Sequence, residues 1–185
     1  MGEITFIIPT VGRPTLQRSI NSLLAQTNRN WKCIVVFDGI DTIDYNDPRI
    51  KSIRIEKTGS VGQYHGMAGL VRNYGLAICD TEWIGFLDDD DTLDPNYVEC
   101  LFNKYTDSDL VIWRMMFDSG YVVPSFDNEA LIHGNVGISF CYKNKFENLF
   151  FDENRDGEDL DLVRKIINRS NKYVITKEVY YKVNH

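Results

Sequence analysis

Short apolar runs that alternate with helical patterns constrain this chain more than any other feature of its sequence. Residues 4–8 read as a strand that Pro9 stops, and Pro14-Thr15 opens a helix with Leu16, Ile20, Leu23 and Leu24 on one face. Residues 31–37 form a second strand, rich in β-branched side chains and closed by Asp38-Gly39, and residues 50–55 a third with weaker alternation. A loop carrying Gly59, Gly62, Gly66 and Gly69 comes next. A helix is then expected over 68–77, and a buried strand over 83–87. Pro95 starts another helix, with Val98, Leu101, Phe102 and Tyr105 on one side, and residues 110–117 are a further strand. The second half is less regular, with short strands expected near 137–142 and 179–183 around a helix near 160–168. This order implies a mainly parallel sheet with right-handed crossovers. A length of 185 residues suits one such α/β domain.

A consequence follows for position. Pro9-Thr10, Asp38-Gly39 and the run Asp88-Asp89-Asp90-Asp91 each fall just past the carboxyl end of an expected strand. In an open parallel sheet those ends share one edge, and ligands bind there. Segments far apart in sequence are therefore expected to meet around one crevice.

Composition narrows the functional classes. Hydrophobic residues at 43% and charged residues at 25% exclude a long disordered chain, a collagen-like repeat and a coiled coil. The net charge of −7 repels phosphate backbones, which argues against general nucleic-acid binding. No window approaches the ~20 apolar residues of a membrane helix. The start lacks the basic and apolar regions of a signal peptide, and Phe6 breaks the myristoylation pattern. Cys33, Cys79, Cys100 and Cys141 form no C-x-x-C pair, so a zinc site or disulfide framework is not expected, and Cys33 reads as a small core residue. The expected location is cytoplasmic, with any membrane association peripheral.

Four adjacent aspartates repel one another, and after an apolar strand their simplest rationale is a divalent cation held by hard oxygen ligands. Asp88 and Asp90 can share a face of an extended segment. The alternative is an exposed acidic turn, with Asp94 capping the next helix. An EF-hand is excluded, because Leu93 stands where that loop needs glycine. Arg72-Asn73 follows the glycine-bearing loop and could pair with a phosphate, although no G-K-[ST] is present; the alternative is a surface arginine. Glu158-Asp159 opens a helix, either as simple dipole complementation or as a general base aimed into the cleft. His65, His133 and His185 are too dispersed for a motif, and the first two read as surface or structural residues.

Taken together, these segments resemble a family 2 glycosyltransferase with the GT-A nucleotide-diphospho-sugar transferase fold. Seven pieces carry the resemblance in order: Ile7-Ile8-Pro9-Thr10-Val11-Gly12-Arg13-Pro14, Ser22-Leu23-Leu24-Ala25-Gln26-Thr27, Val36-Phe37-Asp38-Gly39, Arg72-Asn73-Tyr74-Gly75, Phe86-Leu87-Asp88-Asp89-Asp90-Asp91, Gly157-Glu158-Asp159 and Tyr181-Lys182-Val183-Asn184-His185. It implies a Rossmann-like, mainly parallel mixed sheet flanked by helices. It implies a single catalytic domain over 1–185, with a nucleotide-binding half at 1–110 and an acceptor-binding half at 111–185.

The resemblance also assigns roles. Pro9, Thr10, Arg13 and Asp38 are expected on the nucleotide and donor side. Arg72 is expected to reach the ribose or the diphosphate. Asp88 and Asp89 are expected at the ribose or donor sugar, Asp90 on a Mn2+ or Mg2+ ion, and His185 as a further ligand. Asp159 is the expected catalytic base, with Glu158 holding the acceptor, and position alone suggests Trp113 for acceptor choice. The implied reaction is inverting, metal-dependent transfer from a nucleoside-diphosphate sugar, UDP by default, to an acceptor hydroxyl on a glycan, lipid-linked or protein partner. Phe37 replaces the first acid of the family's D-D-G segment, which removes one contact to the base. The chain stops at His185, where many relatives continue, so it reads as a minimal core or part of a longer protein. A sugar-1-phosphate nucleotidyltransferase fits less well, because the first loop carries only Gly12. A non-catalytic nucleotide- or sugar-binding module is the reading from a different class.

Overall fold

The computed structural model describes residues 2–58, 68–152 and 157–184. Its elements in chain order are β1 (Ile4–Thr10), α1 (Leu16–Leu24), β2 (Trp31–Asp38), β3 (Ile50–Ile55), α2 (Ala68–Leu76), β4 (Trp83–Phe86), β5 (Thr92–Leu93), α3 (Tyr97–Lys104), β6 (Leu110–Phe117), β7 (Val122–Val123), β8 (Phe140–Lys143), α4 (Glu158–Ile167) and β9 (Tyr173–Val183). The strands join one sheet in the order β3-β2-β1-β4-β8-β6-β9-β5, with β7 paired to β6. Adjacent β1, β2, β3 and β4 are parallel. β8 runs antiparallel between β4 and β6, which restores β6 and β9 to the direction of β1. The sheet is thus mixed but mainly parallel, and it runs through both halves of the chain.

The apolar residues account for this layout. β1 and β2 are buried along almost their whole length, as strands covered on both faces must be. Helix α1 buries Leu16, Ser19, Ile20 and Leu23, close to the expected stripe. Gly75 lets α2 sit directly on β1, since a Cβ there would lie 2.6 Å from Ile7 Cγ2. Cys33 is buried in the core, as expected, and burial pushes its thiol pKa up.

Two expectations need correction. β1 does not stop at Pro9; it continues to Thr10, with Pro9 opposite Val36 of β2. The pairing of β1 with β4 ends at Ile7, so beyond it β1 has a free side where a residue without an N–H is tolerated. β9 is also much longer than its expected core at 179–183, because it follows β6 along the sheet through a bulge. Strands β5 and β7 are two residues each, too short to leave a periodic pattern.

The topology gathers the carboxyl ends of β1, β2, β4, β6 and β9 at one edge of the sheet. Helix α2 leads into β4, so its first turns begin near that edge, and the first turn of α4 meets it there.

Candidate active site

The acidic loop lies just past β4, and its four carboxylates are held in different ways. Asp88 Oδ1 accepts from Arg72 Nη2 at 2.5 Å. Asp89 is buried; its Oδ2 accepts from Thr10 Oγ1 at 2.7 Å and its Oδ1 from Arg13 Nη1 at 3.2 Å. Burial holds the Asp89 pKa above the usual carboxylate range despite the Thr10 bond. Asp90 is partly exposed and accepts from the same Arg13 nitrogen at 2.6 Å. Asp91 turns inward, accepts from the Asn184 N–H at 3.2 Å and bonds the Tyr181 hydroxyl. Burial, and then the charge of Asp88, push its pKa up to about 7.

Backbone contacts fix the loop as firmly. Arg18 Nη2 donates to the Asp90 carbonyl at 2.5 Å and Ser19 Oγ to the Asp91 carbonyl at 2.7 Å. Asn184 Nδ2 reaches the Asp90 carbonyl at 3.3 Å and Thr92 Oγ1 at 3.2 Å. Tyr181 Oη accepts from the Asp88 N–H at 3.1 Å. The end of β9 is thereby tied to the acidic loop. His185, the expected further metal ligand, lies outside the described residues, as does His65.

Arg72 is buried, so the alternative reading of it as a surface arginine fails. Its side chain is only 4% exposed and its guanidinium joins three carboxylates: Asp88 at 2.5 Å, Glu158 Oε1 at 3.1 Å and Asp159 Oδ1 at 3.8 Å. It is thus a buried hub linking the acidic loop to α4. Burial alone would lower its pKa, but Asp88, Asp159 and Glu158 outweigh that and keep it charged. Asn73 completes the clamp, donating to the Phe151 carbonyl at 3.0 Å and accepting from the Phe151 N–H at 2.9 Å. The Gly69 N–H bonds Glu158, and a Cβ on Gly69 would lie 2.4 Å from Glu158 Oε2.

Helix α4 opens with Glu158 and Asp159 after Gly157, whose φ of 83° is the left-handed conformation glycine tolerates. A helix N-terminus favours a charged carboxylate. Burial wins at Asp159 nonetheless: its pKa is pushed up to about 7, with Arg72 opposing the shift and the charges of Asp88 and Glu158 adding to it. Its Oδ1 is buried without a hydrogen bond, so the 26% exposure of the side chain falls on the rest of the group. A carboxylate poised near neutrality and partly open suits a proton acceptor. The Glu158 pKa is also raised by burial, against the pull of Arg72. His133 comes close to this turn, since a Cβ on Gly157 would lie 3.1 Å from its Cδ2.

The remaining expected residues divide. Pro9 and Thr10 end β1 at this edge, and Asp38 ends β2 there. Asp38 accepts from the Thr58 N–H at 2.7 Å and the Thr58 hydroxyl at 3.0 Å, which ties the residues just after β3 to it. Phe37 is fully buried in the core. Trp113 is not at the cleft. It is fully buried among Tyr97, Tyr105 and Tyr180, and its indole N–H meets Cys141 Sγ at 3.4 Å. Its neighbour Arg114 instead holds the following segment, through the carbonyls of Pro124 and Ser125 and the Glu129 carboxylate. Asn73, Tyr181 and Asn184 lie within sequence motifs that assign them no role; Thr58 and Arg18 carry no sequence signal at all.

Hard oxygen donors suit a divalent ion here. Among the described residues, no group of three or more histidines, cysteines and acids surrounds one ion position. A Mg2+-type ion needs only one or two protein carboxylates, with substrate phosphates supplying further ligands. The partly exposed Asp90, beside Asp88, fits that donor set.

The chain matches the family model described as Glycosyl transferase family 2 over residues 5–158. It is 26% identical to Glycosyltransferase GlyA of Streptococcus pneumoniae over 97% of this chain and 29% of that protein. It is 29% identical to the Minor teichoic acid biosynthesis protein GgaB of Bacillus subtilis over 90% of this chain and 21% of that protein. The chain therefore spans less than a third of the length of either relative. Among solved structures, Staphylococcus aureus TarS 1–349 in complex with UDP-GlcNAc superposes with a TM-score of 0.79 at 20% identity, over 99% of this chain and 58% of that one. The mannosyltransferase PcManGT from Pyrobaculum calidifontis, in complex with GDP-Man and Mn2+, gives 0.68 at 13% identity, over 100% of this chain and 56% of that one. The fold is GT-A. No helix among the described residues is long and apolar enough to cross a membrane.

Proposed function

This chain belongs to glycosyl transferase family 2, and we propose on that premise that it transfers a sugar, with inversion, from a nucleoside-diphosphate donor to an acceptor hydroxyl in the assembly of a glycan or polysaccharide. The observation that carries the reading is Asp159: a carboxyl with a pKa raised to about 7, anchored through Arg72 to the same strand edge as Asp88 and Asp90. UDP is the proposed nucleotide, supported by the UDP-GlcNAc bound to TarS. The GDP-Man bound to PcManGT makes GDP the first competitor.

The proposed division of labour follows the sheet edge. Residues 1–110 supply the donor side, with Pro9, Thr10 and Asp38 beside the nucleoside and Asp88 and Asp89 toward the ribose and donor sugar. Residues 111–185 supply the acceptor side. Asp159 takes the proton from the acceptor hydroxyl as that oxygen attacks the anomeric carbon. The new C–O bond forms as the bond to the β-phosphate breaks, and the electron pair leaves with the nucleoside diphosphate. One displacement inverts the carbon. Glu158 holds the acceptor while bonded to Arg72 and the Gly69 N–H. Mn2+ or Mg2+ held by Asp90, with His185 as a further ligand, would supply charge stabilisation for the departing diphosphate. The segment held by Arg114 replaces Trp113 as the proposed determinant of acceptor choice.

The test is release of nucleoside diphosphate from a panel of UDP- and GDP-sugars with Mn2+, for the wild type and Asp159→Asn. Loss of transfer with retained nucleotide binding is expected. Transfer by Asp159→Asn near the wild-type rate would remove Asp159 as the base.

A further inference from the structure

We infer that Arg13 is a built-in counter-cation for Asp90, which makes the divalent ion and the nucleoside diphosphate depend on each other for binding. The inference rests on Asp90 being the metal-binding carboxylate. One guanidinium nitrogen, Nη1, lies 2.6 Å from Asp90 Oδ2 and 3.2 Å from Asp89 Oδ1. Among the described residues, Arg13 is the cation paired with the Asp90 side chain.

The two aspartates are held differently. Asp89 is 6% exposed and keeps its bond from Thr10 if Arg13 departs. Asp90 is 23% exposed, and its side-chain bond comes from Arg13. Arg13 itself is 51% exposed, on the loop after β1. That loop is set by the Thr10 hydroxyl, which accepts the Gly12 N–H at 2.9 Å, and by Gly12 in the left-handed region at φ 83°. The guanidinium is therefore free to swing outward while its backbone stays fixed.

A divalent ion arriving alone must break this ion pair to use Asp90. A nucleoside diphosphate arriving with it offers the displaced guanidinium a phosphate to pair with, in the bidentate geometry arginine favours. The cost of displacing Arg13 is then offset only when both ligands are present. Such coupling is reciprocal: the nucleotide tightens the metal by the factor by which the metal tightens the nucleotide.

The test measures Mn2+ binding to the full chain by the loss of the free-ion paramagnetic resonance signal, with and without UDP and, separately, GDP. In Arg13→Ala, Mn2+ binding without nucleotide is expected to tighten about 5- to 10-fold, and the factor added by nucleotide to shrink to match. Arg13→Lys keeps a charge but loses the fork, and is expected to fall between. Because Arg13 is half-exposed, the variants should fold, which circular dichroism checks. Unchanged or weaker nucleotide-free Mn2+ binding in Arg13→Ala, beside a wild type that binds Mn2+ with nucleotide, overturns the role of Arg13 alone. A wild type that binds no Mn2+ with either nucleotide overturns the metal reading of Asp90 and this inference with it.

Discussion

Replacing Gly69 with alanine puts a methyl group where α2 meets the first turn of α4. The new Cβ would sit 2.4 Å from Glu158 Oε2 and 2.7 Å from its Cδ, where ordinary contact begins at 3.4 Å. The carboxylate must retreat by about 1 Å, and retreat takes it from Arg72, which it now meets at 3.1 Å. Phe151 Cβ, at 2.8 Å, must also yield, although Asn73 pins that residue's backbone from both sides. Overpacking of this kind costs about 1–3 kcal/mol. Alanine recovers about 1 kcal/mol of helix propensity. The net loss of stability is therefore about 0–2 kcal/mol, a melting-point drop of no more than several degrees. Activity is expected to suffer more, because a misplacement of about 1 Å in a catalytic group costs on the order of 100-fold. Steady-state kinetics, nucleotide affinity by calorimetry and a thermal melt, run on one preparation, separate these effects. The expected pattern is kcat down about 100-fold, nucleotide Kd within about 2-fold and a small thermal shift. A variant with wild-type kcat would refute the claim that α2 positions the proposed catalytic turn of α4.

Four further outcomes are expected. The transfer rate should rise with pH and level off above about 7, since Asp159 must lose its proton to accept another; a pH–rate profile flat through that region would contradict the assignment. The folded-state pKa of Asp159 is raised, so its contribution to stability is full below the ordinary value of 3.8 and is lost as pH rises through about 7. Asp159→Asn should accordingly melt a few degrees above the wild type at pH 8, an effect on the order of 1 kcal/mol. Arg72→Gln strands Asp88, Glu158 and Asp159 without their shared cation and should cost about 3–5 kcal/mol in a denaturant titration. Asp90→Ala should abolish the Mn2+ dependence of nucleotide affinity measured by calorimetry, and a preserved dependence would place the ion elsewhere.

The seven motifs were legible in sequence because each is local: a strand end, a turn and the first residues of a helix occupy a few consecutive positions. The resemblance assigns roles to Asp88, Asp90 and Asp159 on such local pieces, an acidic run after an apolar strand and an acidic pair at a helix start. Asp38 was legible too, as the last residue of β2. Trp113 was misplaced because an aromatic on a strand next to the site reads the same whether it faces the cleft or the core. Only packing against Tyr97, Tyr105 and Tyr180 settles its direction.

Arg72 shows the same limit for charge. A lone arginine after a glycine loop suggests a phosphate, because its carboxylate partners lie 16 and 86 residues away. The fold brings three of them around one guanidinium, which no single segment of sequence announces. The alternation of strand and helix was enough to determine that this chain forms a mainly parallel sheet with its acidic loop at the carboxyl edge of the strands. Which charge faces which was decided by the tertiary structure alone, because burial and distance set the strength of an ion pair and neither is a property of neighbouring letters in a sequence.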